Sequence, residues 1–256
     1  MLITKCTITG ADDGTSIHDM RALQMNYPFA EWGILVGGEG GHPRWPSNDW
    51  LLMISRMSNI LPVTLHLCGQ PLRRLLVGEL HDRLLPFAID SGRWDAIQLN
   101  THGTPHEFNP AGKALLDELD IVPIVQVDNV NTAILETCKQ GLENGDEFRA
   151  IFDLSHGAGI LPTVWPQPFR DVLCTYAGGL GPENLREQLE KINHELSGDS
   201  DEVPYTQEIA IDMETRVRTD DDKFLDLKKV EACFKIVEQW NKEMSAAEDD
   251  REEAAF

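Results

Sequence analysis

Basic residues are scarce in this chain: 22 Lys and Arg stand against 43 Asp and Glu, a net charge of −21 over 256 residues. Binding to a phosphodiester backbone needs clustered Lys and Arg, so the charge argues against nucleic acid as a partner. Cysteine pairing is also missing. Cys6, Cys68, Cys138, Cys174 and Cys233 are an odd number with no CxxC spacing, which argues against a disulfide framework and fits a reducing compartment. No apolar run approaches the roughly 20 residues of a membrane span. Residues 1–8 carry Lys5 inside a run too short for a signal-peptide core, so a cytoplasmic location without membrane association is expected. The first β-type run is not followed by GxGxxG, the turn of a dinucleotide-binding sheet. Acidic runs at Asp199, Asp201 and Glu202, at 220–222 and at 248–253 read as solvated faces and carry no chemistry.

What is present is an alternation. Short apolar runs at 2–8, 31–36, 63–68, 96–100, 122–127, 150–153, 172–175 and 209–213 read as strands. They are mostly continuous rather than alternating, as expected for parallel strands covered on both faces. Helix-length segments fill most gaps, at 17–26, 47–58, 72–84, 110–119, 130–144, 182–196 and 224–245. The sixth connection, 155–169, carries three prolines and two glycines and reads as a long loop. Eight βα units on a chain of this length predict an α/β protein, a single (β/α)8 barrel of about 250 residues. Residues 1–245 form that domain and 246–256 an acidic C-terminal tail.

In such a barrel, reactive groups sit at the C-terminal strand ends and in the loops after them. The first strand supplies Cys6. The loop after the second holds Gly37 to Gly41, His42 and Arg44-Trp45-Pro46-Ser47, the third ends with His66 and Cys68, and the fourth with Gln98, Asn100 and His102. Asp153 ends the sixth strand, and Asp212, Glu214 and Arg216 follow the eighth. The seventh runs into Gly178-Gly179-Leu180-Gly181-Pro182. Glycine lets the backbone approach a ligand, and proline at the first helical position leaves free N–H groups at the positive end of the helix dipole. That junction is suited to hold an anion.

With these motifs in this order, the chain resembles the phosphoribosylanthranilate isomerases, barrel enzymes that rearrange an aminoaldose to an aminoketose. The resemblance rests on Thr4-Lys5-Cys6-Thr7-Ile8-Thr9, on Arg44-Trp45-Pro46-Ser47, on Gln98-Leu99, on Asp153, and on Gly178-Gly179-Leu180-Gly181-Pro182-Glu183-Asn184. It implies Cys6 as the base that removes the substrate C2 proton and Asp153 as the acid that opens the sugar ring, with no cofactor. It also implies Arg44 as partner of the substrate carboxylate, Gly178 and Gly179 as phosphate donors, and Asn100, His102, Asp212, Glu214 and Arg216 near the ligand. The expected ligand is a small phosphorylated or otherwise anionic sugar derivative. Three positions depart from the pattern. Glu214-Thr215-Arg216 stands where the family continues with small residues, Asn100 where it has histidine, and His66 and Cys68 are extra. A carboxylate about 4 Å from a phosphate costs roughly 1 kcal/mol per charge pair even in water. An anion-binding barrel without turnover is therefore a second expectation. A third is a zinc-type site of Cys6, His66, Cys68 and Asp153, since 66 and 68 share one strand face. The sequence carries no signal of oligomeric state.

Overall fold

The computed structural model describes residues 1–37, 43–57, 60–85, 94, 96–153, 155, 157–197 and 207–254. The glycine-rich stretch at 38–41, His42, and the acidic cluster at Asp199, Asp201 and Glu202 lie outside them. Eight parallel strands close into a barrel in sequence order: β1 (Leu2–Thr9), β2 (Ala30–Val36), β3 (Val63–Leu67), β4 (Ala96–Leu99), β5 (Val122–Gln126), β6 (Arg149–Phe152), β7 (Leu173–Ala177) and β8 (Glu208–Met213). β8 pairs back onto β1, with Asp212 beside Thr7. The expected (β/α)8 barrel is the observed fold.

The helices among the described residues are α1 (Ile17–Asn26), α2 (Asn48–Ser55), α3 (Gly69–Leu76), α4 (Pro110–Glu118), α5 (Thr132–Leu142), α6 (Leu185–Ser197) and α7 (Leu227–Ala254). Their starts follow local chemistry. Ser47 accepts from the Trp50 N–H to open α2, and Asn109 accepts from Ala111 and Gly112 to open α4 ahead of Pro110. Asp226 accepts from Lys228 and Lys229, so α7 begins there and not at Phe224. α3 starts and stops earlier than its apolar pattern suggested, closing at Gly78 with φ +88°. Pro182 lies in the turn before α6 rather than at its first residue. The helical end of α7 runs through Ala254, so most of the acidic segment continues that helix. Among the described residues no helix is long and apolar enough to cross a membrane.

The packed apolar core lies between the barrel and its helices. Trp32 of β2, for example, meets Phe234 of α7 with ring centroids 6.2 Å apart. In the barrel interior a small apolar layer of Ala96, Ile124, Ile151 and Ala177, with Val122, shares the space with polar side chains, where most such barrels are filled by branched apolar ones. At one level Glu31 is held across the barrel by Arg149 (3.1 Å) and by Lys5 (2.8 Å), and it accepts from Thr7. The polar residues 5, 7 and 9 of β1 thus face inward, and the alternation of a strand turns Cys6 and Ile8 outward.

Candidate active site at the barrel mouth

β6, β7 and β8 deliver their C-terminal ends to one cleft. It is lined by Asp153, Ser155, Gly157, Gly178, Gly179, Asp212, Glu214 and their neighbours. Four positions expected from sequence to serve the site, Asp153, Gly178, Gly179 and Asp212, meet there, with Glu214 as a fifth. The cleft's volume is about 40 Å³, well below the several hundred Å³ that enclose a drug-sized ligand. A sugar derivative must therefore open it or lie across its rim.

Asp153 organises the loop after β6. Its Oδ1 accepts from the Ser155 N–H (3.1 Å) and hydroxyl (2.8 Å), and its Oδ2 accepts from the Gly157 N–H (2.7 Å). Gly178 and Gly179 have φ values of +113° and +66°, the left-handed region where a Cβ is strained. A Cβ at Gly179 would also lie 2.7 Å from the Gly159 carbonyl oxygen. Both glycines line the cleft, and neither N–H has a hydrogen-bond partner among the described residues. The Gly181 N–H, two residues on, is taken by Asn184 Oδ1 (2.9 Å).

Asp212 is 9% exposed and accepts from the Thr9 hydroxyl at 2.8 Å. Burial pushes its carboxyl well above the ordinary range, the Thr9 hydrogen bond opposes this, and Glu214, Asp153 and Glu31 push it further up. Glu214 is also raised by burial, against the pull of Arg44.

Several sequence expectations find other positions. Cys6 is fully buried on the outer face of β1, within the core that includes Cys233 and Phe234 of α7. Burial, then Cys233, hold its thiol well above the ordinary cysteine range. It does not line the cleft, so its assignment as base facing Asp153 is corrected: parity puts the thiol on the helix side of the sheet. Arg44 is committed to carboxylates of its own chain, donating to Glu214 Oε1 (2.7 Å) and to both Asp222 oxygens (2.8 and 2.9 Å). Its backbone N–H donates to Asp12 Oδ2 (2.8 Å) at a φ of +75°. Asn100 is buried between Gln98 and Cys68, donating to the Cys68 sulfur at 3.3 Å. His102 is exposed at the rim, its N–H on Gln126 Oε1. Arg216 is exposed, and its side chain lies against Gly181. Arg218 is buried, donating to the Gly10 carbonyl oxygen (2.8 Å) and to Asp222 (2.8 Å), and its charge adds to the downward pull on Glu214. His66 points into the barrel and Cys68 caps its end, but no three His, Cys, Asp or Glu side chains among the described residues come together as a metal site.

Sequence reasoning missed the Thr9 link to Asp212 and the tie from Arg44 to Asp222. The first had a legible signal. Lys5-Cys6-Thr7-Ile8-Thr9 alternates polar with apolar, which places the threonines, not the cysteine, on one common face.

No protein-family profile and no curated protein sequence matches the chain. Among solved structures it is similar to N-(5'-phosphoribosyl)anthranilate isomerase from Pyrococcus furiosus, with 15% identity, a TM-score of 0.51, and 92% of this chain and 99% of that chain covered. It is likewise similar to phosphoribosyl anthranilate isomerase from Thermotoga maritima, with 16% identity, a TM-score of 0.55, and coverage of 93% and 100%. The likeness is one of fold along nearly the whole chain.

Proposed function

We propose that this barrel is an isomerase-type enzyme that moves protons on a small sugar derivative of the aldose or ketose kind, using Asp212 and Asp153. The observation that carries the reading is the meeting of these two carboxyl groups with the Gly178–Gly179 donors in one cleft at the C-terminal mouth. Asp212, whose hold on its proton burial strengthens, is the acid that donates to the ring oxygen of the closed sugar. As the C1–O bond to the ring oxygen breaks, Asp212 regains a proton from the C1 hydroxyl; Asp153 then accepts the C2 proton of the open form and returns it to C1 while a proton passes from the C2 hydroxyl to the C1 oxygen, which completes an aldose-to-ketose shift without a cofactor. The paired glycine N–H groups hold an anionic or partly negative oxygen of the substrate. The likeness to two phosphoribosylanthranilate isomerases supports that substrate as the first to test, although Glu214 beside the glycines opposes a full phosphate charge.

The test is consumption of phosphoribosylanthranilate followed by fluorescence, extended to a panel of aldoses and their phosphates, with Asp153→Asn and Asp212→Asn as controls. Turnover lost in both variants supports the proposal; full activity in either removes it. A second reading, a barrel that binds an anion without converting it, is favoured by the prior commitment of Arg44 to Glu214. Calorimetric binding of a sugar phosphate with no product formed would select it.

A further inference from the structure

One buried polar group inside the barrel has no role in the reading above. His66 is 1% exposed, and its Nε2 has no hydrogen-bond partner among the described residues. Its Nδ1 lies 3.4 Å from the Thr9 hydroxyl oxygen, and that hydroxyl lies 2.8 Å from Asp212 Oδ1. A seat is made for the pair by Gly33 on β2, where a Cβ would collide with Thr9 Oγ1 and stand 2.8–2.9 Å from the His66 ring. Three strands thus converge on a single row of hydrogen bonds from His66 through Thr9 to Asp212.

We propose that His66 is a positioning residue for Asp212: its Nδ1–H donates to Thr9, which turns the Thr9 hydroxyl proton toward Asp212 Oδ1 and leaves the acid proton on Oδ2. This rests on the proposed acid role of Asp212. Two arguments fix the direction of the row. A hydroxyl has one proton, so Thr9 can donate to Asp212 only if its contact with His66 is one in which it accepts. The other tautomer would bury an Nε2–H with no acceptor, and orphaned buried N–H groups are rarer than unfilled acceptors. The ring stays neutral through the useful pH range, since burial lowers it to about 4, with Glu31 opposing and Arg149 adding to the shift. The charged groups around the row are Glu31 and Arg149 on the His66 side and Glu214, Asp153 and Glu31 on the Asp212 side.

The experiment uses the full chain and needs no substrate. Long-range ¹H–¹⁵N correlation of the histidine rings, with His66→Gln to assign the signal, is expected to show His66 as the neutral Nδ1–H tautomer at pH 7. An Nε2–H tautomer, or a charged ring at that pH, overturns the proposal without any variant having to fold. Carboxyl ¹³C titration then follows Asp212. Thr9→Val and His66→Phe are each expected to raise its midpoint by about one pH unit, because the carboxylate loses its oriented donor. His66→Asn, whose amide can donate to Thr9, is expected to restore it toward the wild-type value. A folded His66→Phe protein with an unshifted Asp212 midpoint also overturns the proposal. Because these readouts do not depend on turnover, an inactive barrel would count against the proposed function and leave this claim to be decided separately.

Discussion

At the residue scale the structure divides one short motif between two environments. Along β1, Thr7 and Thr9 look into a polar interior while Cys6 looks into the apolar layer under α7. A buried thiol packed against Cys233 behaves as a small hydrophobe, and what it contributes is packing. Cys6→Ala is therefore expected to lower stability by about 1 kcal/mol, typical of a small core change, in urea unfolding. Its kcat/KM on whatever substrate is turned over should stay within a few-fold of wild type. Lost turnover with unchanged stability would restore Cys6 to the site. Asp212 makes the opposite trade. Its folded-state midpoint is raised above the ordinary 3.8, so the folded form holds its proton more tightly than the unfolded form does. The stability this proton confers is present in acid and is lost as pH rises through the folded midpoint. Asp212→Asn is therefore expected to be more stable than wild type at pH 8 and close to it at pH 4, by thermal unfolding at both. A variant less stable at pH 8 would show that Asp212 is held by partners the burial argument ignores.

At the scale of elements, the loop after β7 was readable in advance and the loop after β8 was not. Gly178-Gly179 announces itself because no other residue tolerates consecutive positive φ angles so readily. Gly179→Ala is expected to destabilise by about 1–3 kcal/mol, since it adds backbone strain and pushes a methyl toward the Gly159 carbonyl oxygen. It should also weaken any anionic ligand in calorimetry; unchanged stability and affinity together would mean that the turn relaxes freely. After β8, Glu214 and the short 3-10 turn Thr215–Val217 bring together residues far apart in sequence: Arg44 and Glu214 are 170 positions apart. No local pattern reports such a pairing. Arg44 therefore looked free to meet a ligand, and it meets Glu214 and Asp222 instead. The strand count and order were legible because continuous apolar runs separated by capped helices leave few topologies. The inward or outward choice at each strand end depends on parity, and one residue of slip reverses it.

On the scale of the whole molecule, the barrel carries its charge inside. Glu31 is fully buried and is brought down to about 2 by Arg149 and then Lys5, against the cost of burial. A carboxylate depressed from 4.5 to about 2 adds stability that is present above pH 4.5 and fades as the pH falls toward 2. Acid unfolding should steepen in that window. Arg149→Met leaves Glu31 buried with Lys5 and the Thr7 hydroxyl and is expected to cost about 3–5 kcal/mol at neutral pH, as for other broken buried pairs, with a shallower acid slope. Equal stability of the two proteins at pH 7 would mean that Lys5 suffices. The same polar interior leads upward through Thr9 and His66 to Asp212, so the ion pairs that hold the barrel and the carboxyl groups at its mouth share one lumen.

The proposed reactive pair is Asp153 and Asp212, and Cys6 has no part in it. Single-turnover rates on an aldose substrate for Asp153→Asn, Asp212→Asn and Cys6→Ala, each checked for fold by circular dichroism, test it most directly. The two aspartate variants are expected to fall by about 100-fold or more, the usual contribution of a positioned acid or base, while Cys6→Ala keeps its rate. An inactive Cys6→Ala protein beside active aspartate variants would return the chemistry to the thiol and remove the aspartate pair.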